Sequence, residues 1–141
     1  MTLGMSLDHV AITVQDMDRA VAFYRDVLGF EVLGQLVLND GTFKLVYLQA
    51  GAGRIELFAF AEQGRAVDPS LSNEDLGFKH VAFQVGDVDA VAGRLREHGV
   101  EFTVQPTDAP GAVRLAFFRD PDGNLVELVD RLPDMEAYRA G

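Results

Sequence analysis

Lys79-His80-Val81-Ala82-Phe83-Gln84-Val85-Gly86-Asp87-Val88-Asp89 restates an earlier stretch of the same chain, Asp8-His9-Val10-Ala11-Ile12-Thr13-Val14-Gln15-Asp16-Met17-Asp18. His, Val, Ala, Val, Asp and Asp recur at matching places, and Ile12 is answered by Phe83. A repeat of this kind decides the architecture before any single element does, because each copy marks the start of one structural unit.

The rest of the chain follows the repeat. Leu7 to Val14 alternates as a strand, with Val10, Ile12 and Val14 on one face and His9, Ala11 and Thr13 on the other. Asp16 or Asp18 offers an N-cap, after which Met17, Ala20, Val21, Tyr24, Val27 and Leu28 take helical spacing and Gly29 suits the C′ position. Phe30 to Leu38 and Thr42 to Ala50 read as strands joined by the turn Asn39-Asp40-Gly41, and Gly51-Ala52-Gly53 leads into a further strand, Arg54 to Phe60. The first module is therefore βαβββ, over 7–60. Residues 61–77, with Gly64, Pro69, Ser70, Ser72, Asn73, Glu74 and Asp75, read as a linker or flap. The order then returns over 78–131. It runs as strand Phe78 to Val85, a helix with Val88, Val91, Ala92 and Leu95 inward and Gly99 at its end, and strands at 100–105, 113–119 and 124–131. Asp120-Pro121-Asp122-Gly123 is a β-turn before the last strand. Residues 132–141 form a tail. The predicted fold class is α+β, two tandem βαβββ modules.

Composition limits the function. The 141 residues suit one compact domain or two half-size modules, and 48% hydrophobic with 24% charged residues is ordinary for a globular protein. Twelve Lys and Arg against 22 Asp and Glu give a formal charge of −10, which repels phosphate backbones, so no nucleic-acid partner is expected. No apolar run approaches the roughly 20 residues a bilayer span requires. Met1 to Ser6 lacks the basic stretch and apolar core of a signal peptide. Cysteine is absent, which removes disulfides and thiolate metal sites. A cytoplasmic location without membrane association is the expectation.

The repeat also makes a prediction inside the sequence. His9 and His80 lie 71 residues apart (80 − 9), and so do Glu56 and Glu127 (127 − 56). Their settings match, Arg54-Ile55-Glu56-Leu57 against Leu125-Val126-Glu127-Leu128. Each module thus places a His on its first strand and a Glu on its last. Alternation turns His9, Glu56, Phe58 and Phe60 away from the helix, and likewise His80, Ala82, Gln84, Leu125, Glu127 and Val129. A lone strand His is ordinarily a hydrogen-bonded structural residue, and a lone strand Glu is ordinarily solvated. Four such residues obeying one offset point to a metal site, because a carboxylate beside Phe58 and Phe60 needs a partner if buried. Imidazole and carboxylate suit Ni, Co, Zn, Mn or Fe. Four such ligands on an octahedral ion leave two positions for a substrate's oxygens, and chelation acidifies the carbon beside a carbonyl. A ligand carboxylate can then act as general base and acid. Asp16, Asp18, Asp87 and Asp89 read as helix caps and first-turn charges, Asp120 and Asp122 as turn residues.

At these residues the chain resembles the vicinal oxygen chelate superfamily, which holds glyoxalase I, fosfomycin-resistance proteins, extradiol dioxygenases, methylmalonyl-CoA epimerase and bleomycin-resistance proteins. The resemblance spans Leu7 to Arg131. It is carried by Leu7-Asp8-His9-Val10, Phe23-Tyr24-Arg25-Asp26-Val27-Leu28-Gly29-Phe30 and Asp120-Pro121-Asp122-Gly123-Asn124-Leu125-Val126-Glu127-Leu128. It implies paired βαβββ modules whose curved mixed sheet surrounds a divalent metal, a small-molecule substrate and a homodimer. Bacterial-type glyoxalase I has His, Glu, His and Glu as ligands, matched by His9, Glu56, His80 and Glu127; Glu127 is then the expected proton-transfer base, with Glu56 its counterpart. Thr13, Phe58, Phe60 and Gln84 are the expected pocket residues, with plain core as the alternative reading for Phe58 and Phe60. The glutathione-contacting arginine of that family is Thr13 here and its asparagine is Phe60, so a glutathione adduct is not the expected substrate. Methylmalonyl-CoA epimerase shares the proton transfer, but its His-His doublet reads Lys79-His80 here. The expected activity is a metal-dependent glyoxalase-like lyase or isomerase. The alternatives are a non-catalytic binding protein of the bleomycin-resistance kind, or an iron-dependent extradiol-type dioxygenase using His9, His80 and Glu127.

Overall fold

The computed structural model describes residues 3–131; the expected tail at 132–141 lies outside the described residues. The chain divides into two compact units, Met1–Ala66 and Val67–Gly141, a boundary inside the 61–77 segment.

The first unit opens with strand β1 (His9–Thr13), followed by helix α1 (Met17–Val21), then β2 (Glu31–Leu38), β3 (Phe43–Ala50) and β4 (Gly53–Phe60). The four strands form one mixed sheet in the order β1-β4-β3-β2, with β1 parallel to β4 and the other pairs antiparallel. Asp16 caps α1 by accepting from the Arg19 amide at 3.0 Å, which satisfies one of the donors a helix start leaves open. The helix differs from the sequence expectation: after Val21 it widens into a π-helical segment over Ala22–Val27, where the Leu28 amide donates to the Phe23 carbonyl at 3.0 Å. The wider turn accompanies the burial of Tyr24, fully enclosed and stacked on Phe30 at a centroid distance of 6.5 Å. Helical spacing alone does not separate a 3.6-residue turn from a π turn over so short a run. The β2–β3 turn carries positive φ at Asn39, Asp40 and Gly41, the left-handed geometry that asparagine, aspartate and glycine tolerate best.

Alternation sets the core. Ile12, Val46, Leu48, Ile55 and Leu57 are buried on the face that α1 covers. Cross-strand register puts His9, Ala11 and Thr13 of β1 on the opposite face, together with Glu56, Phe58 and Phe60 of β4 and Tyr47, Leu45 and Phe43 of β3.

The second unit repeats the plan with β5 (Val81–Gln84), α2 (Val88–Glu97), β6 (Phe102–Ala109), β7 (Val113–Arg119) and β8 (Leu125–Arg131), in the order β5-β8-β7-β6. Asp87 caps α2 through the Ala90 amide at 3.0 Å. Val88, Ala92 and Leu95 are buried from the helix side and Ala116, Phe118, Val126 and Leu128 from the sheet side. Asp89, in the first turn of α2, is held by Arg114 of β7 at 2.6 and 2.9 Å, and the same guanidinium reaches Asp108 at 3.0 Å. Asp120 is buried and accepts from the amides of Asp122 and Asn124 at 3.0 and 2.8 Å and from the Asn124 side chain at 2.9 Å. This turn delivers the chain into β8. Expected boundaries move most in two strands of this unit. The strand expected at 78–85 is shorter, so His80 stands one residue before β5, whose parallel ladder with β8 begins at Val81 opposite Val126. The strand expected at 100–105 runs instead from Phe102 to Ala109, with register shifts on either side of Val104. Pro106 sits within this edge strand, where a missing amide hydrogen is tolerated. The expected α+β class of tandem βαβββ modules is borne out, each unit contributing one four-stranded mixed sheet.

Candidate metal centre

Each unit brings its own histidine and glutamate together. In the first, Ala11 of β1 lies across from Glu56 of β4 in a parallel pair, so His9 leans over the Glu56 carboxylate. His9 Nε2 is 3.1 Å from Glu56 Oε2. In the second, Ala82 lies across from Glu127, and His80 Nε2 is 2.8 Å from Glu127 Oε2. Both carboxylates are buried, Glu56 with 7% and Glu127 with 8% of its surface exposed. A buried carboxylate without a partner costs several kcal/mol, on the order of the desolvation penalty of the ion, so each imidazole answers a definite electrostatic need.

The donor set fits a divalent metal. Two ligands at right angles on an ion with bonds of about 2.1 Å stand about 3 Å apart, and the two observed N···O separations of 3.1 and 2.8 Å bracket that edge. Among the described residues no group of three or more His, Asp or Glu side chains is gathered in position to hold an ion; what is built is one His–Glu pair in each unit.

The surroundings of the two edges differ. His9 Nδ1 meets Asp8 Oδ2 at 2.8 Å, and that contact holds the Asp8 carboxyl below its usual range. Tyr47 of β3 is directly opposite Glu56; partial burial and then the Glu56 carboxylate push its phenol above the ordinary value. Opposite Glu127 stands Phe117, whose ring meets that of His80 edge-on at 5.1 Å and 88°. Lys79, at the place of Asp8 in the repeat, sends its Nζ to the Asp75 carbonyl.

The expected pocket residues have unequal fates. Phe58 and Phe60 form a cluster with Phe43, which stacks on Phe60 at 4.5 Å and 4° and meets Phe58 edge-on at 5.3 Å. Phe60 keeps 40% of its surface exposed. Thr13 lies across from Phe58 on the same face and is exposed. The Gln84 amide is engaged with the Val85 carbonyl at 3.0 Å and Asp130 at 3.1 Å, tying β5 to the end of β8. Sequence reasoning missed Asp8, Tyr47, Phe43 and Phe117 as neighbours of the site. A signal for Tyr47 was present: the turn at Gly51-Ala52 pairs Ala50 with Gly53, and counting back along both strands sets Tyr47 against Glu56.

Comparison with known proteins agrees with this architecture. A family model described as Glyoxalase/Bleomycin resistance protein/Dioxygenase superfamily matches residues 6–128. A lactoylglutathione lyase of Pseudomonas aeruginosa is 33% identical over 143 residues, covering 86% of this chain and 80% of that protein. A 2-epi-5-epi-valiolone epimerase of an Actinomyces species is 34% identical over 149 residues, covering 90% and 80%. The crystal structure of a glyoxalase family protein from Enterococcus faecalis superposes with a TM-score of 0.79 at 30% identity, covering 92% of this chain and all of that one. With the repeated βαβββ fold and a His–Glu pair in each copy, the chain belongs to the glyoxalase/bleomycin resistance protein/dioxygenase superfamily.

Proposed function

We propose that the protein is a divalent-metal-dependent lyase or isomerase that moves a proton between adjacent carbons of a small oxygenated substrate. One observation carries the reading: a buried carboxylate faces an imidazole nitrogen in each module, at 3.1 and 2.8 Å, and the two pairs are copies at a single offset. His9, Glu56, His80 and Glu127 would hold the ion, with Ni, Co, Zn, Mn and Fe all suited to this donor set. When bound, the metal supplies Lewis acidity to a carbonyl compound chelated through neighbouring oxygens, acidifying the C–H beside that carbonyl. Glu127 takes that proton as its carboxylate becomes a carboxylic acid, then returns it to the adjacent carbon, so substrate and product are isomers and Glu127 is regenerated. Glu56 is the other carboxylate able to do this, but His9 and Tyr47 both engage it. Glu127 is engaged by His80 alone, at 2.8 Å, with Phe117 rather than a tyrosine across the strand pair, which favours it as the mobile carboxylate. Phe58, Phe60 and Thr13 are proposed to line the substrate side, with Gln84 at its margin. A homodimer in the cytoplasm belongs to the same proposal.

The test is metal analysis of wild type and His80→Ala after controlled reconstitution, followed by assay of the reconstituted enzyme on methylglyoxal with several thiols. Stoichiometric metal in wild type, its loss in His80→Ala and turnover with one thiol are expected; equal, negligible metal in both proteins refutes the reading. The Phe43–Phe58–Phe60 cluster, half-buried at Phe43 and Phe58 and exposed at Phe60, favours a second reading, small-molecule binding without catalysis. That reading requires ligand binding that survives EDTA, and loss of binding on adding chelator counts against it.

A further inference from the structure

The two His–Glu edges share one offset but are not supported alike. His9 has a carboxylate at each ring nitrogen: Asp8 Oδ2 at 2.8 Å from Nδ1 and Glu56 Oε2 at 3.1 Å from Nε2. A histidine whose outer nitrogen meets a carboxylate is oriented and made more basic toward a metal at its other nitrogen. Glu56 is fixed from its other side, because Tyr47 is its direct cross-strand neighbour on β3 and stands on the same face. The second module replaces both supports. Lys79 stands where Asp8 does in the repeat and turns to the Asp75 carbonyl, and Phe117, which has no hydroxyl, stands across from Glu127.

We propose that Asp8 and Tyr47 are positioning residues that hold His9 and Glu56 of the first module in ligand geometry, a support that the His80–Glu127 pair of the second module lacks. The proposal rests on the metal-dependent reading above and deepens it, since it assigns different work to two pairs that the repeat makes look equivalent. Asp8 is exposed and Tyr47 only partly buried, so neither side chain is needed to fill the core.

The experiment is titration of the metal-free full chain with Co(II), read by its visible absorption, for wild type, Asp8→Asn and Tyr47→Phe. Thermal unfolding of each protein in EDTA is run alongside. Both substitutions keep size and shape, and loss of an outer partner of a ligand weakens metal affinity by about 10- to 100-fold. The expected result is a weakening in that range for each variant, with unfolding temperatures close to wild type. A Tyr47 that served packing alone would lower the unfolding temperature and leave Co(II) affinity unchanged. If wild type binds Co(II) and a variant binds within about threefold of it, the assignment fails for that residue while the metal reading stands. If wild type itself binds no Co(II), the reading and the inference fall together.

Discussion

Removing the His80 imidazole should cost stability in the metal-free protein, and the cost can be worked from the contact. Glu127 is 8% exposed and its carboxylate oxygen is 2.8 Å from His80 Nε2. Leaving a buried charged acceptor unsatisfied costs about 1–3 kcal/mol. The His80 side chain keeps 30% of its surface exposed, so solvent screens part of the interaction, and the lower half of that range, about 1–2 kcal/mol, is expected for His80→Ala. The edge contact with Phe117 adds about 0.5 kcal/mol. Replacing Glu127 by Leu in the same protein removes the stranded charge and should recover much of the loss, because substituting both members of a buried pair is far milder than breaking it. The assay is urea unfolding with EDTA present, on wild type, His80→Ala, Glu127→Leu and the double variant. A coupling energy of about 1–2 kcal/mol is expected. Additivity to within about 0.3–0.5 kcal/mol, the range found for independent sites, would show that the pair does not form and would refute the argument for a His–Glu edge in this module. The matching His9→Ala substitution should cost less, since Glu56 keeps Tyr47 across the strand pair.

Other features give sharper structural tests. Asp87→Ala removes the cap that accepts from the Ala90 amide and should lower stability by about 1 kcal/mol in urea unfolding. The Arg114 guanidinium holds the Asp89 carboxyl below its ordinary value of 3.8. A depressed folded-state value contributes stability that is complete above the unfolded value and disappears as pH falls through the folded one. Asp89→Asn should therefore lower the urea midpoint by a constant amount above about pH 5, with the difference from wild type shrinking below about pH 4. Asp120→Ala strands the amides of Asp122 and Asn124 at the entry to β8 and should cost about 2–3 kcal/mol by the same unfolding assay. It should also weaken Co(II) binding, because β8 carries Glu127.

Much of the fold was legible because it was written twice. The recurrence of His-Val-Ala at 9–11 and 80–82 announced two copies of one unit. Period-2 alternation then sorted Ile12, Ile55 and Leu57 to the helix side and His9 and Glu56 to the other, as the burial and register confirm. Aspartates ahead of the helices declared their caps, because only a short acceptor side chain in extended backbone satisfies the first free amides. Less legible were the features set by neighbours distant in sequence. The π-helical widening after Val21 depends on how Tyr24 is enclosed, and the late start of β5 depends on where its ladder with β8 begins.

The sequence by itself determined the repeat, the two βαβββ modules, the side of each sheet on which the chemistry-bearing residues lie, and the presence of one histidine and one glutamate on that side in each module. These follow from local periodicity and from an offset preserved between copies. The tertiary structure decided that the two pairs are unlike. Tyr47 meets Glu56 and Phe117 meets Glu127 only through antiparallel register, and Asp8 reaches back to His9 only once the ring is turned over the sheet. A repeat conserves residue types at a spacing, whereas the environment of a carboxylate is set by what the neighbouring strand places across from it.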